Sequence, residues 1–165
     1  MASTHLETHT FASPKAEMWR VAASFLLILL AFQFQWQFLC DLTTSTLISA
    51  SHFFGVNAIR ESGSTFYINH LLFKVAMPCT TIEAILGTLP LLWDGRYSIK
   101  RNVRNFVIFA LAIQAVNLLR LVLGFVAYSH GFSWLFSHEI PAGIFYFLWV
   151  VWIIRHSPVR RDYPR

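Results

Sequence analysis

Four long apolar stretches constrain this chain more than any other feature of its sequence. They cover about residues 21–39, 75–93, 106–128 and 139–154, and a helix of about 20 residues crosses a hydrocarbon core of roughly 30 Å. Hydrophobic residues make up 56% of the chain and charged residues only 13%, whereas ordinary soluble domains are about 25% charged. The stretches therefore predict an all-α integral membrane protein with four transmembrane helices.

The segment between the first two stretches predicts local structure of its own. Leu42–Phe54 has the apolar spacing of an amphipathic helix, which we expect to lie on the membrane surface. Val56–Ile59 and Phe66–Ile68 flank a polar turn and predict a hairpin. The first stretch is longer than the roughly 7–15 residues of a signal-peptide core, so we expect it to stay as a signal anchor. The chain thus divides into a cytoplasmic tail, a membrane domain and a basic cytoplasmic tail: 1–18, 19–155 and 156–165.

Basic residues cluster beside the apolar stretches and predict the orientation of the chain. One cluster lies at 96–104 and the other at 155–165, whereas the segments 40–74 and 129–138 hold only two Lys or Arg residues. Cytoplasmic loops of membrane proteins are enriched in Lys and Arg. We therefore expect both termini in the cytoplasm, and the net charge of +5 predicts this topology rather than a nucleic-acid partner.

Motifs of the common metal, phosphate and dinucleotide chemistries are absent. The two cysteines, Cys40 and Cys79, are too few for a disulfide scaffold or a four-thiolate zinc site, and the chain has no CxxC, HExxH, P-loop or GxGxxG. We expect no metal and no cofactor. A haem- or metal-binding four-helix protein is a rival interpretation, although haem ligands in membrane bundles normally lie within the spans. Its candidate ligands are four histidines that lie outside the apolar stretches or at their edge: His52, His70, His130 and His138.

Three polar residues on different stretches are expected at one depth, near the outer face. Cys79 lies near the outer end of the second stretch, Arg120 lies about 22 Å into the third, and His138 opens the fourth. Polar residues in spans usually face the bundle interior, so we expect the polar stripes of the second and third helices to face each other. At 100° per residue these stripes comprise Cys79, Thr80, Glu83 and Gly87, and Gln114, Asn117, Arg120, Gly124 and Tyr128.

Each of the three residues also has a structural interpretation. Cys79 could be an inert buried thiol or the disulfide partner of Cys40. Arg120 could reach the lipid surface or form an ion pair with Glu83, and His138 could simply begin a helix at the interface. Together, however, they suit thiol chemistry, because a neighbouring cation favours the thiolate. A histidine can protonate a leaving amine, and an arginine can stabilise an oxyanion.

At these positions the chain resembles the exosortase/archaeosortase family of membrane-embedded cysteine transpeptidases. The resemblance covers about residues 40–154. Thr81 departs from the family pattern, because many members carry Gly there, and larger members have more than four spans. The matching segments stand in the family's order: Pro78-Cys79-Thr80-Thr81-Ile82, Asn117-Leu118-Leu119-Arg120-Leu121, and His138 through Gly143 and Phe147.

The resemblance implies a reaction and a set of partners. Cys79 would be the nucleophile, assisted by Arg120 and His138, and it would cleave a carboxyl-terminal sorting signal consisting of a short motif, a transmembrane helix and a basic end. The acyl group would pass through a thioester to an acceptor at the outer face of the inner (plasma) membrane. Partners would be exported proteins with such a signal, membrane lipid and envelope polysaccharide machinery. The supporting residues would be Asn117, Glu83 and Thr80. The alternative is a non-catalytic assembly factor for envelope polysaccharide or a transporter subunit.

Overall fold

The computed structural model describes residues 14–156, which are mostly helical. The amino-terminal tail up to residue 13 and the basic tail from residue 157 lie outside the described residues. In chain order the elements are helices α1 (Pro14–Gln33) and α2 (Gln37–Phe53), strands β1 (Ala58–Ser62), β2 (Thr65–Ile68) and β3 (Leu71–Lys74), the Cys79 turn (a 3₁₀ turn, Met77–Thr80), helices α3 (Ile82–Leu92) and α4 (Ile99–Ser129), the His138 turn (a π turn, Leu135–Glu139) and helix α5 (Ile140–His156).

Two helical segments of the described chain are long and apolar enough to cross a membrane: Ile99–Ser129 and Leu135–His156. The pair Glu17–Gln33 and Gln37–Phe53 would count as a third crossing if its two bent halves formed one span. By length and composition, the described chain thus has two candidate membrane crossings, or up to three, as in a membrane protein. The predicted number of four remains a prediction.

A sharp break divides the first predicted stretch. Helix α1 ends at Gln33, six residues before the expected end, and α2 leaves it at an angle of 82°. The indole Nε1 of Trp36 donates a hydrogen bond to the Ala31 carbonyl at 2.7 Å, so it occupies an acceptor that helix continuation would need. The Cys40 amide then bonds the Trp36 carbonyl at 2.9 Å and opens α2. The predicted helix over Leu42–Phe54 therefore exists, but it begins earlier.

Helix α3 is shorter than the predicted second stretch. It has 11 residues, about 17 Å at 1.5 Å per residue, because Thr81 adopts a left-handed conformation with φ 55° and separates it from the Cys79 turn. Side-chain amides of α4 hold both ends of this region. Asn102 bonds the backbone of Asp94 at one end, and Asn117 bonds the carbonyl of Cys79 at the other. These two asparagines lie 15 residues apart, or about 22 Å along α4.

The predicted hairpin is present and carries a third strand that the sequence did not predict. The order is β1-β2-β3, antiparallel throughout, with a bulge between Arg60 and Ser62. The sheet packs its buried face on α2 and α4. There Phe66 is fully buried and contacts the Phe125 ring edge-on at 5.2 Å between centroids. Leu47 of α2 joins the same core. The sheet is therefore anchored beside the elements that carry the candidate site.

Candidate active site

Cys79 lies on a tight turn whose backbone is fixed from two directions. Its amide donates to the Ala76 carbonyl at 2.9 Å, which is a bond within the turn. Its carbonyl accepts from Asn117 Nδ2 at 2.7 Å, which is a bond from α4. The thiol is half-buried and free. A hydroxyl also stabilises the turn, since Thr80 Oγ1 donates to the Met77 carbonyl at 2.6 Å. The turn thus presents the thiol from a constrained backbone.

Arg120 is held by the same asparagine. Asn117 is fully buried, and its Oδ1 accepts from Arg120 Nη2 at 3.1 Å and Nε at 3.4 Å. Residues three apart on a helix lie on one face, so the N-x-x-R spacing allows this contact. The other terminal nitrogen, Nη1, is buried without a hydrogen-bond partner. Arg120 is therefore positioned through one edge of its guanidinium while a donor on the other edge remains unused.

His138 lies in the His138 turn, a π turn, and π segments occur mostly as single turns, often at functional sites. The turn packs closely on α4, where a Cβ at Gly124 would clash with the Ser137 carbonyl oxygen. The imidazole stacks on Trp134 with 4.3 Å between centroids and 11° between planes. Trp134 Nε1 also donates to Glu139 Oε1 at 2.9 Å, and this oxygen lies 3.5 Å from His138 Nδ1. Packing on two sides thus sets the orientation of the ring.

Asn117 bonds both the Cys79 carbonyl and Arg120, and the His138 turn packs on Gly124, about one helical turn after Arg120. The structure thus brings together the three residues that the sequence placed at one depth. It also gathers unpaired polar groups around them. Of the five buried side-chain polar atoms without a hydrogen-bond partner in the described chain, four belong to this region: Glu83 Oε2, Arg120 Nη1, Ser137 Oγ and His138 Nδ1. Buried polar atoms are rarely left unpaired in proteins, so the region has the donors and acceptors of a polar binding site.

Glu83 has a different partner from the one expected. No ion pair between Glu83 and Arg120 is found within residues 14–156, which corrects the predicted pairing. Instead, the Tyr146 hydroxyl of α5 donates to Glu83 Oε1 at 2.7 Å and lies 3.3 Å from the Pro78 carbonyl. Asn117 bonds one edge of Arg120 from its own helix, whereas the Glu83 carboxylate bonds the tyrosine through one oxygen. Glu83 therefore ties α3 to α5 beside the Cys79 turn.

Two residues beside the site were not predicted to take part in it, and one predicted stripe residue faces elsewhere. Tyr146 stands in an aromatic-rich stretch in which one hydroxyl gives little signal. The Thr81 hydroxyl donates to Gln114 Oε1 at 2.8 Å. The threonine that stands where many exosortases carry Gly therefore contacts α4. Gly87 packs on α1, where an added Cβ would come within 2.7 Å of the Ile28 side chain. It allows close packing of α3 on α1 and lies outside the site.

Neither cysteine of the described chain forms a disulfide. Cys40 is buried in α2 and free, and it belongs to the hydrophobic core against which Cys79 packs. The disulfide between them is therefore not formed in this structure. No group of three or more His, Cys, Asp or Glu side chains within the described residues could hold a metal ion.

No protein-family model, no curated protein and no solved structure matches this chain. The interpretation of the site therefore depends on the chemistry of the residues that the fold brings together.

Proposed function

We propose that the chain is a membrane-embedded cysteine transpeptidase that cleaves a carboxyl-terminal sorting signal of exported proteins and transfers them to an envelope acceptor. One observation carries the proposal. Asn117 bonds both the Cys79 carbonyl and one edge of Arg120, the His138 turn packs on α4 about one turn further along, and Arg120 keeps an unused N–H donor. A thiol, an imidazole and a free guanidinium donor can serve as nucleophile, general acid and oxyanion donor in acyl transfer through a thioester.

The proposed reaction assigns one step to each residue. The Cys79 thiolate attacks the carbonyl carbon of the scissile peptide bond, and Arg120 Nη1 donates to the oxyanion that forms. The C–N bond then breaks while His138 protonates the leaving amine, and the exported protein is held as a thioester. An acceptor amine or other nucleophile attacks this thioester while neutral His138 takes its proton, so that the new acyl bond forms and the thiolate is released.

The supporting residues act through position. Asn117 sets the distance between the Cys79 turn and Arg120, because it bonds both. Thr80 stabilises the turn from within, and Glu83 with Tyr146 fixes its other side. Preorganised groups cost no rearrangement when charge develops in the transition state, which is the benefit of this fixed arrangement.

The proposed topology has four crossings, formed by α1, α3, α4 and α5. Helix α3 and the Cys79 turn run beside α4 between contacts about 22 Å apart along its axis. If α1 crosses, the 82° bend directs α2 along the membrane plane. With the Lys- and Arg-rich turns in the cytoplasm, the site faces the outside of the plasma membrane. There it would meet exported proteins, membrane lipid and the envelope polysaccharide machinery.

Thioester trapping tests the proposed function. The full chain would be co-expressed with signal reporters, which are exported domains ending in a short motif, an apolar helix and a basic tail. We expect a reporter–protein adduct that hydroxylamine cleaves and that Cys79→Ala abolishes, while Cys40→Ala retains it. Membrane levels of each variant serve as the folding control. Processing that persists in Cys79→Ala would exclude Cys79 as the nucleophile and would favour the non-catalytic alternative.

A further inference from the structure

A long apolar groove lies between α4 and α5, with Leu92 of α3 and the loop that follows it at one end. Its volume is about 610 Å³. The walls are formed by apolar and aromatic side chains, among them Phe109, Ala112 and Ile113 of α4 and Leu148 and Trp149 of α5. Both walls belong to the segments that are long and apolar enough to cross a membrane. The groove therefore opens toward the acyl chains of the bilayer.

The length of the groove matches one leaflet. Along α4 it extends from Asn105 to Val116, 11 residues or about 16 Å at 1.5 Å per residue. A hydrocarbon core is about 30 Å thick, so the groove covers about half of it. It ends at Phe145, whose ring centroid lies 5.8 Å from the Arg120 guanidinium carbon. A transmembrane helix of a partner would need a surface about twice as long, whereas a single lipid chain fits this depth.

The end of the groove at the start of α4 is polar and lies beside basic side chains. Asp94 and Tyr97 line this end, and the Arg101 guanidinium lies 3.8 Å above the centre of the Tyr97 ring. Arg96 bonds the Asp94 carboxylate at 2.9 Å. These hydrogen bonds from Arg96 hold the pKa of Asp94 below its usual range, so the carboxylate stays ionised and its charge is balanced by Arg96. Arg101 adds one further positive charge, so this end of the groove has a net positive charge.

We propose that the groove binds one phospholipid with an anionic head group. One of its two acyl chains occupies the space between α4 and α5, and its phosphate lies at the Arg101 end. The combination of an apolar channel of one-leaflet depth with a cationic mouth is complementary to this amphiphile. Such a lipid also fills space between two helices that pack beside the candidate active site. Binding of the lipid is independent of whether Cys79 is a nucleophile.

Native mass spectrometry of the full chain in detergent tests the proposal, with phosphatidylglycerol and phosphatidylcholine added at equal concentrations. We expect one phosphatidylglycerol to be retained in preference to phosphatidylcholine. Ala112→Phe fills the groove and should lower retention at least tenfold, and the milder Ala112→Leu should give an intermediate loss. The matched control is Ala115→Phe, because Ala115 is exposed on α4 and does not line the groove. This control should bind as the wild type does.

The head-group site is tested separately. A basic residue near a membrane surface contributes about 1 kcal/mol toward an anionic lipid, so Arg101→Gln should reduce the preference for phosphatidylglycerol about fivefold. Arg104→Gln is the control for diffuse attraction and should have a smaller effect. Equal losses in these two variants, or equal retention by Ala112→Phe and the wild type, would overturn the proposal and make the bound lipid part of a general annulus. Equal retention of the two lipids by the wild type would overturn the anionic head group.

Discussion

Asn117 connects two candidate catalytic residues with a single side chain. Its Nδ2 donates to the Cys79 carbonyl at 2.7 Å, and its Oδ1 accepts from Arg120 at 3.1 Å. An amide is suited to this task because it has donors and an acceptor a short distance apart. The geometry of the candidate site therefore depends on a residue that need not touch the substrate.

The role of Asn117 predicts a specific loss in Asn117→Leu. The change leaves the Cys79 carbonyl and one edge of Arg120 without partners, and each unpaired buried group costs about 1–3 kcal/mol. We expect a lower melting temperature and, per folded molecule, much less thioester with the signal reporter. Asn102→Leu is the matched control, because Asn102 makes the corresponding bonds to Asp94 at the other end of α3. Equal losses of thioester in the two variants would mean that both asparagines act only through stability.

Trp134 has a comparable role for His138. Its ring stacks on the imidazole at 4.3 Å, and its Nε1 bonds Glu139. Trp134→Leu removes both contacts, whereas Trp134→Phe retains a ring for stacking. We expect the leucine variant to form the reporter thioester about 100-fold more slowly, the loss that a misplacement of about 1 Å can cause, and to show an altered pH–rate profile. The phenylalanine variant should recover most of the rate. A uniform decrease with an unchanged pH profile would indicate that Trp134 serves packing alone.

At the scale of elements, the His138 turn depends on close approach to α4. Gly124 lies directly beneath the Ser137 carbonyl, and there is no room for a side chain at this position. The turn holds His138 at its fourth residue, so a displacement of the turn displaces the imidazole. The site is therefore sensitive to the packing of two helical segments as well as to the residues within it.

Gly124→Ala should disturb this contact. The added methyl group must push the His138 turn away, and overpacking of this kind costs about 1–3 kcal/mol. We expect lower thermal stability and weaker reporter processing. Gly143→Ala is the matched control, since a Cβ at Gly143 of α5 would meet no atom within 4 Å. Alanine is favoured over glycine in a helix by about 1 kcal/mol, so this control should be neutral or slightly stabilising. An equal loss of processing in the control would contradict the close-contact explanation.

Some of these elements could be predicted from the sequence, and others depend on distant contacts. The shared face of Asn117 and Arg120 follows from their spacing, and the hairpin follows from its turn and alternating residues. The π turn could not be predicted, because Gly124 enables it from another helix. The partner of Glu83 was predicted wrongly, because helical phase gives no information about which neighbour supplies Tyr146. The break after Gln33 depends on a Trp36 side-chain bond that apolar composition does not reveal.

At the scale of the whole molecule, the question is whether the short helix α3 crosses the membrane. Its 11 residues are about 17 Å long, less than the roughly 30 Å core. Yet α4 holds the two ends of the α3 region at Asn102 and Asn117, about 22 Å apart along the axis. A bilayer can thin around a short element, or flanking residues can reach the interface. The contacts along α4 therefore favour a crossing that helix length by itself does not.

Accessibility of single cysteines decides this question. In a Cys40→Ser and Cys79→Ser background, Ser62→Cys places a thiol on the exposed sheet turn before α3, and Lys100→Cys places one at the exposed start of α4. A membrane-impermeant maleimide applied to intact spheroplasts should label the first variant, and it should label the second only after permeabilisation. His130→Cys, after α4, should behave as Ser62→Cys does.

If Ser62→Cys and Lys100→Cys were labelled alike, α3 would not cross, and the sheet and the basic cluster at 96–104 would lie on one side of the membrane. Because Phe66 of the sheet contacts Phe125 near the far end of α4, such a result would also mean that α4 does not cross. We therefore expect the two labelling patterns to differ.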